Sequence, residues 1–158
     1  MASADSDISH LEDAIQPVIG EKVVSAWVDK FEFKVHNILI IDLGNLKKDD
    51  EDGLLYGIWQ FVVKSSFWRL EQNGKVICGY FDTKGKMDEG LKTISGKRIV
   101  AVSISTGTRI TRLVFEDDLE IRLFPSLSKR YIHWSLYTPD KNVVNIGPGQ
   151  TWSMNPDI

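Results

Sequence analysis

From residue 21 onward, apolar and polar residues alternate with a period of two, which is the spacing of side chains on one face of a β-strand. The runs are rich in β-branched and aromatic residues, and short polar stretches separate them. Residues 55–63 fit a strand or a short helix equally well. The other predicted strands are 21–28, 30–35, 37–43, 66–71, 75–81, 97–104, 108–115, 119–124, 131–137 and 142–146.

Residues 6–17 follow a different period. Ile8, Leu11 and Ile15 recur at helical spacing, and Pro17 and Gly20 are typical of a helix end. The pattern therefore predicts a short N-terminal helix.

Polar residues mark the connections between the predicted strands. Asn-Gly at 73–74 is the strongest short signal for a β-hairpin, because both residues tolerate positive φ. Turns are also predicted at 36–37 (His36-Asn37), at 117–118 (Asp117-Asp118) and at 139–140 (Pro139-Asp140). Longer loops are expected at 44–53 and 82–96, the second with at most one helical turn.

The two halves of the chain resemble each other in the order of these features. Residues 19–24 match 95–100, and the turn at 36–37 with the strand after it matches the turn at 117–118 with 119–124. Trp68, Leu70 and Lys75 likewise match Trp134, Leu136 and Lys141. Chance similarity between antiparallel meanders is the alternative.

We therefore expect a mainly β (α+β) fold, with antiparallel sheets built from two similar β-meander halves. The predicted repeat covers 19–82 and 95–152 of a single domain, 1–158. Trp68 and Trp134 should lie in one apolar interior.

Charge is distributed unevenly along the chain. The net charge is −3, which gives no general attraction to nucleic acid or to an anionic membrane. Residues 1–55, however, carry twelve acidic and five basic side chains. This acidic part could meet a basic partner, or it could consist of solvated surface loops.

The lone cysteine, Cys78, cannot form an intramolecular disulfide, which suits a reducing compartment. The N-terminal residues lack the pattern of a signal peptide, and no apolar run is long enough to span a bilayer. We expect a cytoplasmic protein.

Motifs for catalysis and for cofactor binding are missing. There is no phosphate-binding glycine loop, no nucleophile elbow, and no spacing of Cys and His that suits zinc. We therefore expect no enzymatic activity, no cofactor and no metal, and a buried, inert Cys78.

Alternation in residues 131–137 places Tyr131, His133, Ser135 and Tyr137 on the face opposite Trp134. Arg122 on a neighbouring strand would join this face, as would Arg69 if a pseudo-twofold axis relates the halves. Such residues are common at interfaces and ligand sites. The alternative is an ordinary sheet face covered by the N-terminal helix.

Residues 113–149 combine the Asp117-Asp118 turn, the strand 119–124, a Trp-containing strand and the Pro139-Asp140 turn. This arrangement resembles small bacterial β-rich proteins, some of which are similar to immunity proteins of polymorphic toxin systems. The resemblance is confined to this segment and implies a protein partner, but it carries no catalytic residue.

Two functions follow as hypotheses. The first is a bacterial immunity-type protein, part of a toxin–antitoxin pair, which blocks a basic toxin domain. Its acidic segment, 42–53, includes Asp49, Asp50, Glu51 and Asp52. The alternative is a small-ligand or nucleotide-binding module with a pocket between the halves, whose candidates are Trp68, Trp134, Tyr131, His133 and Arg122.

Overall fold

A computed structural model describes residues 4–30, 37–126 and 130–157. The alternating segments of these residues form eleven strands, and two short helices accompany them. The helices are α1, Ala4–Ile15, and α2, Lys84–Leu91, and a 3₁₀ turn follows each of them. The strands are β1, Val23–Lys30; β2, Asn37–Lys48; β3, Leu55–Val63; β4, Ser66–Gln72; β5, Lys75–Gly79; β6, Ile99–Ile104; β7, Thr111–Phe115; β8, Leu119–Pro125; β9, Trp134–Tyr137; β10, Asn142–Ile146; and β11, Trp152–Pro156.

The strands form two antiparallel sheets, which confirms the predicted mainly β class and the N-terminal helix. The six-stranded sheet has the order β1-β2-β3-β9-β10-β11, and the five-stranded sheet has the order β6-β7-β8-β4-β5. The six-stranded sheet joins β1–β3 of the first half to the meander β9–β11 of the second half, and the five-stranded sheet joins β6–β8 of the second half to the hairpin β4–β5 of the first half. The hairpin β9–β10 pairs with β3, and the hairpin β4–β5 pairs with β8.

Reciprocal backbone hydrogen bonds join the two halves where their first strands begin. Gly20 N donates to Ile99 O at 2.8 Å, and Gly96 N donates to Val23 O at 2.8 Å. An isolated antiparallel bridge between Lys22 and Arg98 lies at the centre of this contact. The helix and 3₁₀ turn before each first strand also correspond. The proposed boundaries of the repeat, and of the single domain, stay predictions.

The sheet order corrects one part of the sequence comparison. Counted from the first strand of each half, β2 corresponds to β7 and β3 corresponds to β8. The match between residues 38–43 and 119–124 therefore paired β2 with a strand that is not its equivalent. Residues 31–35 and His36, which belong to a predicted strand and turn, lie outside the described residues.

Both predicted indoles lie in one hydrophobic core. Trp68 and Trp134 are 2% and 1% exposed, which confirms their predicted interior position. The ring of Phe61 packs against Trp134 with 5.4 Å between ring centroids, and Trp134 Nε1 donates to Thr111 Oγ1 at 3.2 Å. Since aromatic side chains bury large apolar areas, each indole contributes much buried surface to the common core.

Two of the predicted tight turns, at 73–74 and 117–118, are present, whereas Asn37 of the predicted turn at 36–37 belongs to strand β2 and pairs with Lys30. Asn73 and Gly74 have φ values of 50° and 77°, and Asp117 and Asp118 have φ values of 63° and 58°. These are the conformations that two-residue hairpin turns require. Residues 55–63, which the sequence left open, form strand β3.

Helix α2 was not predicted, because residues 82–96 appeared to be a loop. Thr83 caps the helix by accepting a hydrogen bond from Lys86 N, and Met87 and Leu91 bury its apolar side. Gly90 weakens the helical pattern of the sequence but is required by packing. A Cβ atom at position 90 would lie 2.4 Å from Cys78 Sγ and 3.0 Å from Cys78 Cβ.

Substitution of Gly90 by alanine should destabilise the protein by about 1–3 kcal/mol, because it overpacks a buried contact. The matched control is Gly85→Ala in the same helix, where a Cβ atom meets no heavy atom within 4 Å. This control should be neutral or stabilising by up to about 1 kcal/mol. Urea unfolding measures both, and equal stability of the two variants would contradict the packing.

Candidate functional site

An open groove lies at one end of the six-stranded sheet, between the tip of the β2–β3 hairpin and the turn between β9 and β10. Its volume is about 810 Å³. Five carboxylates and three lysines line it, together with aromatic side chains from three strands. We call it the acidic groove. The residues that define it are Trp27, Tyr56, Ile58, Gln60 and Tyr137 on the floor and Asp49, Asp50, Glu51 and Asp52 on one wall.

The groove brings together two parts of the sequence-predicted site. Tyr137 and the acidic residues 49–52 are distant in sequence but line the same groove. They meet because β3 pairs with β9, and Gln60 lies directly opposite Tyr137 in this pairing. The predicted acidic segment therefore faces an aromatic surface.

The acidic wall is held by its own backbone. Asp49 Oδ1 accepts hydrogen bonds from Glu51 N at 2.6 Å and from Asp52 N at 3.2 Å. Asp52 Oδ1 accepts from Leu54 N at 2.8 Å. Such Asx turns fix a tight loop. As a result, the carboxylates of Asp50 and Glu51 stay exposed to solvent.

A β-bulge shapes the hairpin that carries this wall. The pairing of β2 with β3 shifts register between Leu43 and Leu46, and Gly57, the partner of Leu46, lies next to the bulge. A Cβ atom at position 57 would lie 2.6 Å from Leu43 N, so only glycine fits there. Because a bulge bends its strand, the tip turns away from the plane of the sheet and forms a wall.

A buried carboxylate supports the same hairpin. Asp42 is 1% exposed, and its Oδ1 accepts hydrogen bonds from Gly57 N at 3.0 Å and from Gln60 Nε2 at 2.9 Å. Ser25 Oγ donates to its Oδ2 at 3.4 Å. Asp42 belongs to the predicted acidic segment, but it acts inside the sheet and offers no surface to a partner.

The predicted face around His133 is not an accessible site. His133 and Ser135 are fully buried, whereas Tyr131 is 59% exposed. The His133 Nε2–H donates to the Gly149 carbonyl oxygen at 2.8 Å, and the ring packs so closely on Gly147 that a Cβ atom there would lie 2.8 Å from Cδ2. Alternation placed His133 on the face opposite Trp134, but residues 147–149 cover that face.

Ser135 is occupied in the same way, since its Oγ donates to Asn145 Oδ1 at 2.6 Å. Of the four predicted residues on this strand, Tyr137 alone lines the acidic groove. The N-terminal helix α1 packs against β6 of the other sheet, so it is not the cover that the sequence suggested.

Arg69 and Arg122 lie in the other sheet, which corrects the prediction that they join the residues of β9. They are direct neighbours on β4 and β8. Arg122 Nε lies 2.5 Å from Glu120 Oε2 and 3.3 Å from Glu71 Oε2, and Arg69 Nε lies 3.3 Å from Glu71 Oε1. Burial of Glu120 favours its neutral form, but the hydrogen bonds and charges of Arg112 and Arg122 outweigh burial and lower the pKa of this carboxyl group.

Several surface residues escaped the sequence reasoning. Trp27 and Tyr56 complete the floor of the acidic groove, and Phe67, Tyr80 and Phe81 form an exposed aromatic cluster on the five-stranded sheet. Phe67 shares the outer face of β4 with Arg69 and Glu71. Tyr80 and Phe81 follow the end of β5, so their contact with Phe67 depends on the pairing of β4 with β5.

The surroundings of Cys78 do not favour a reactive thiolate. Burial raises the pKa of its thiol to about 11, and the nearby charge of Asp82 acts in the same direction. Within the described ranges, no three His, Cys, Asp or Glu side chains are arranged to hold a metal ion. In the same ranges, no helix is long and apolar enough to cross a bilayer.

Comparison with protein-family models, with curated proteins and with solved structures gave no match to this chain.

Removal of the Asp49 carboxylate should loosen the acidic wall while leaving the sheets intact. In Asp49→Ala, the amides of Glu51 and Asp52 lose their acceptor and should exchange with deuterium about three- to tenfold faster. Asp50→Ala removes the same charge but no hydrogen bond, so it serves as the control. Equal exchange in the two variants would show that Asp49 does not order the loop.

Cys78 should resist alkylation in the folded protein. With a pKa of about 11, roughly one thiol in a thousand is ionised near pH 8, compared with about a quarter for a free cysteine. The reactive fraction should rise with pH toward the pKa. Iodoacetamide labelling followed by mass spectrometry tests this, with the urea-unfolded protein as the labelled control. Rapid labelling of the native protein near pH 8 would contradict the buried, neutral thiol.

Proposed function

We propose that the protein is a non-enzymatic binding protein of immunity type, which neutralises a basic toxin domain by binding it in the acidic groove. The observation that carries this proposal is the rigid wall of four consecutive acidic residues beside an aromatic floor. The resemblance of the second half to immunity proteins gives it a biological setting.

The chemistry of the groove suits a cationic segment. Lysine or arginine side chains of a partner can lie on the rings of Trp27, Tyr56 and Tyr137, because aromatic faces attract cations. Carboxylates of the wall then accept charge-assisted hydrogen bonds from the same side chains. The exposed Leu54 and Leu55, at 65% and 62%, add apolar contact at the rim.

The exposed carboxylates also favour rapid capture. A cluster of one sign of charge steers an oppositely charged partner and raises the association rate. This matters for an inhibitor that must meet a toxin before the toxin meets its target. The single buried Cys78 supports a cytoplasmic site of action, since the fold uses no disulfide.

The alternative of a ligand pocket between the halves receives no support from the positions of its key residues. Trp68 and Trp134 are core residues, and His133 is buried beneath residues 147–149. None of these three rings presents a face to solvent.

The test uses the product of the gene adjacent to the one that encodes this chain. We expect the two proteins to co-purify, and co-expression to protect cells from the partner. The association rate should fall about tenfold between about 20 mM and about 200 mM NaCl. Absence of both binding and protection would refute the proposed function.

Matched variants locate the contact. Asp50→Asn with Glu51→Gln removes two wall charges whose side chains make no hydrogen bond, and should lower the association rate and its salt dependence. Asp88→Asn with Glu89→Gln removes the same charges from α2, where they form ion pairs with Lys84 and Lys92, and should change neither. If both pairs of substitutions have equal effects, the partner does not use the acidic groove.

A further inference from the structure

The outer face of the five-stranded sheet carries three parallel rows of like side chains. Strand register places Arg69, Arg122 and Arg112 directly opposite one another on β4, β8 and β7. We call these residues the arginine row. On one side of it, Glu71 and Glu120 form the glutamate row, and on the other side Phe67 and Phe124 are opposite each other. The aromatic row consists of Phe67 and Phe124 with Tyr80 and Phe81, which pack against Phe67.

The arginine row is costly for the isolated protein. Like charges directly opposite each other on neighbouring strands destabilise a sheet. The glutamate row compensates for this repulsion in part, because two carboxylates serve three guanidinium groups: Glu120 lies 2.5 Å from Arg112 Nη2, and Glu71 lies 3.3 Å from the Nε atoms of both Arg69 and Arg122. The arginines still keep 39–48% of their side-chain surface exposed, so much of each guanidinium is available to another molecule.

The aromatic row exposes large apolar side chains on a sheet face whose other two rows are charged. Phe81 is 82% exposed and Phe67 is 46% exposed. The ring centroids of Phe67, Tyr80 and Phe81 are 4.9–5.0 Å apart, so the rings form one cluster. Arg69 lies over the Phe124 ring, 5.3 Å from its centroid, and links the arginine row to the aromatic row.

A hollow lies over the glutamate row and extends to the opposite end of the same face, and Glu71, Glu120, Arg112 and Arg122 line its inner part. Its volume is about 410 Å³, and Asn73, Gly74, Asp118 and Leu119 form its outer end. Along the strands, the order is therefore aromatic row, arginine row, glutamate row and the outer end of the hollow. This order is self-complementary. When a second copy lies on the face with its strands reversed, its aromatic row meets the hollow of the first copy, and its arginine row meets the glutamate row of the first copy.

We propose that this face binds a second copy of the same chain, in a symmetric dimer whose two-fold axis runs parallel to the rows, between the arginine and glutamate rows. The arginine row of each copy faces the glutamate row of the other. The Phe81 ring of each copy fills the hollow of the other near Asn73. A two-fold contact of this kind uses one surface twice and closes on itself, so assembly stops at two copies.

Single-stranded nucleic acid is the other ligand that arginines beside exposed rings can attract. The glutamate carboxylates oppose it, because they lie within 3.3 Å of the guanidinium groups that would meet phosphate. The net charge of −3 opposes it as well. The acidic groove lies on the other sheet, so dimerisation leaves that groove open.

Sedimentation equilibrium of the full chain tests the proposal. We expect a monomer–dimer equilibrium for the native protein, and at least a tenfold weaker dimer for Phe81→Ser, whose side chain is too exposed to matter for folding. Leu54→Ser, which removes a comparable exposed side chain from the other sheet, should leave the equilibrium unchanged. A native protein that is monomeric at all concentrations overturns the proposal, as does a monomer that binds a single-stranded oligothymidylate through Arg122.

Disulfide trapping tests the arrangement of the two copies. Cys78 is buried and should not take part, so new cysteines report alone. A mixture of Phe81→Cys and Asn73→Cys should form cross-linked heterodimers under mild oxidation. Cross-linking of Phe81→Cys with itself, in preference to the mixture, would contradict the two-fold axis, since the axis places the two Phe81 rings at opposite ends of the contact.

Discussion

The exchange of hairpins between the two halves is the constraint on which the rest of the structure depends. Strand β4 completes the sheet of the second half by pairing with β8, and β9 completes the sheet of the first half by pairing with β3. Trp68 and Trp134 begin the inward faces of these two hairpins, so the same pairings that join the sheets also place both indoles in the core. Neither half can bury its own apolar face alone.

The exchange also explains why the molecule has two different outer faces. On the six-stranded sheet, β9 brings Tyr137 next to the long β2–β3 hairpin and so creates the acidic groove. On the five-stranded sheet, β4 brings Arg69 next to Arg122 and so creates the arginine row. Each surface consists of residues from both halves, and each therefore depends on the complete fold.

Much of the fold could be predicted from local chemistry. Alternation identified the inward position of Trp68 and Trp134, and the turns at 73–74 and 117–118 follow from residues that accept positive φ. Helix α2 could not be predicted in this way. Its Gly90, which weakens the helical pattern, is required by close packing against Cys78, a residue of strand β5. The sheet order is also non-local, and no turn residue encodes which third strand a hairpin will join.

The candidate site was harder to predict for the same reason. Alternation gives the side of a strand on which a residue lies, but it does not show what covers that side. His133 was assigned to an outer face correctly by parity, yet Gly147 and Gly149 pack on its ring and bury it. Tyr137 lies further along β9, beyond the residues that cover His133, so it stays at the surface and lines the groove.

The interlocked sheets have a consequence for biosynthesis. Strands β3 and β4 leave the ribosome while their partners β9 and β8 have not yet been translated, so the nascent first half carries unpaired edges and an uncovered tryptophan. Its strands can settle only when the second half emerges, and the long-range pairing slows that step. The chain thus passes through an interval in which a chaperone would find its longest-lived binding site on β3, because its partner β9 is translated after β8, the partner of β4.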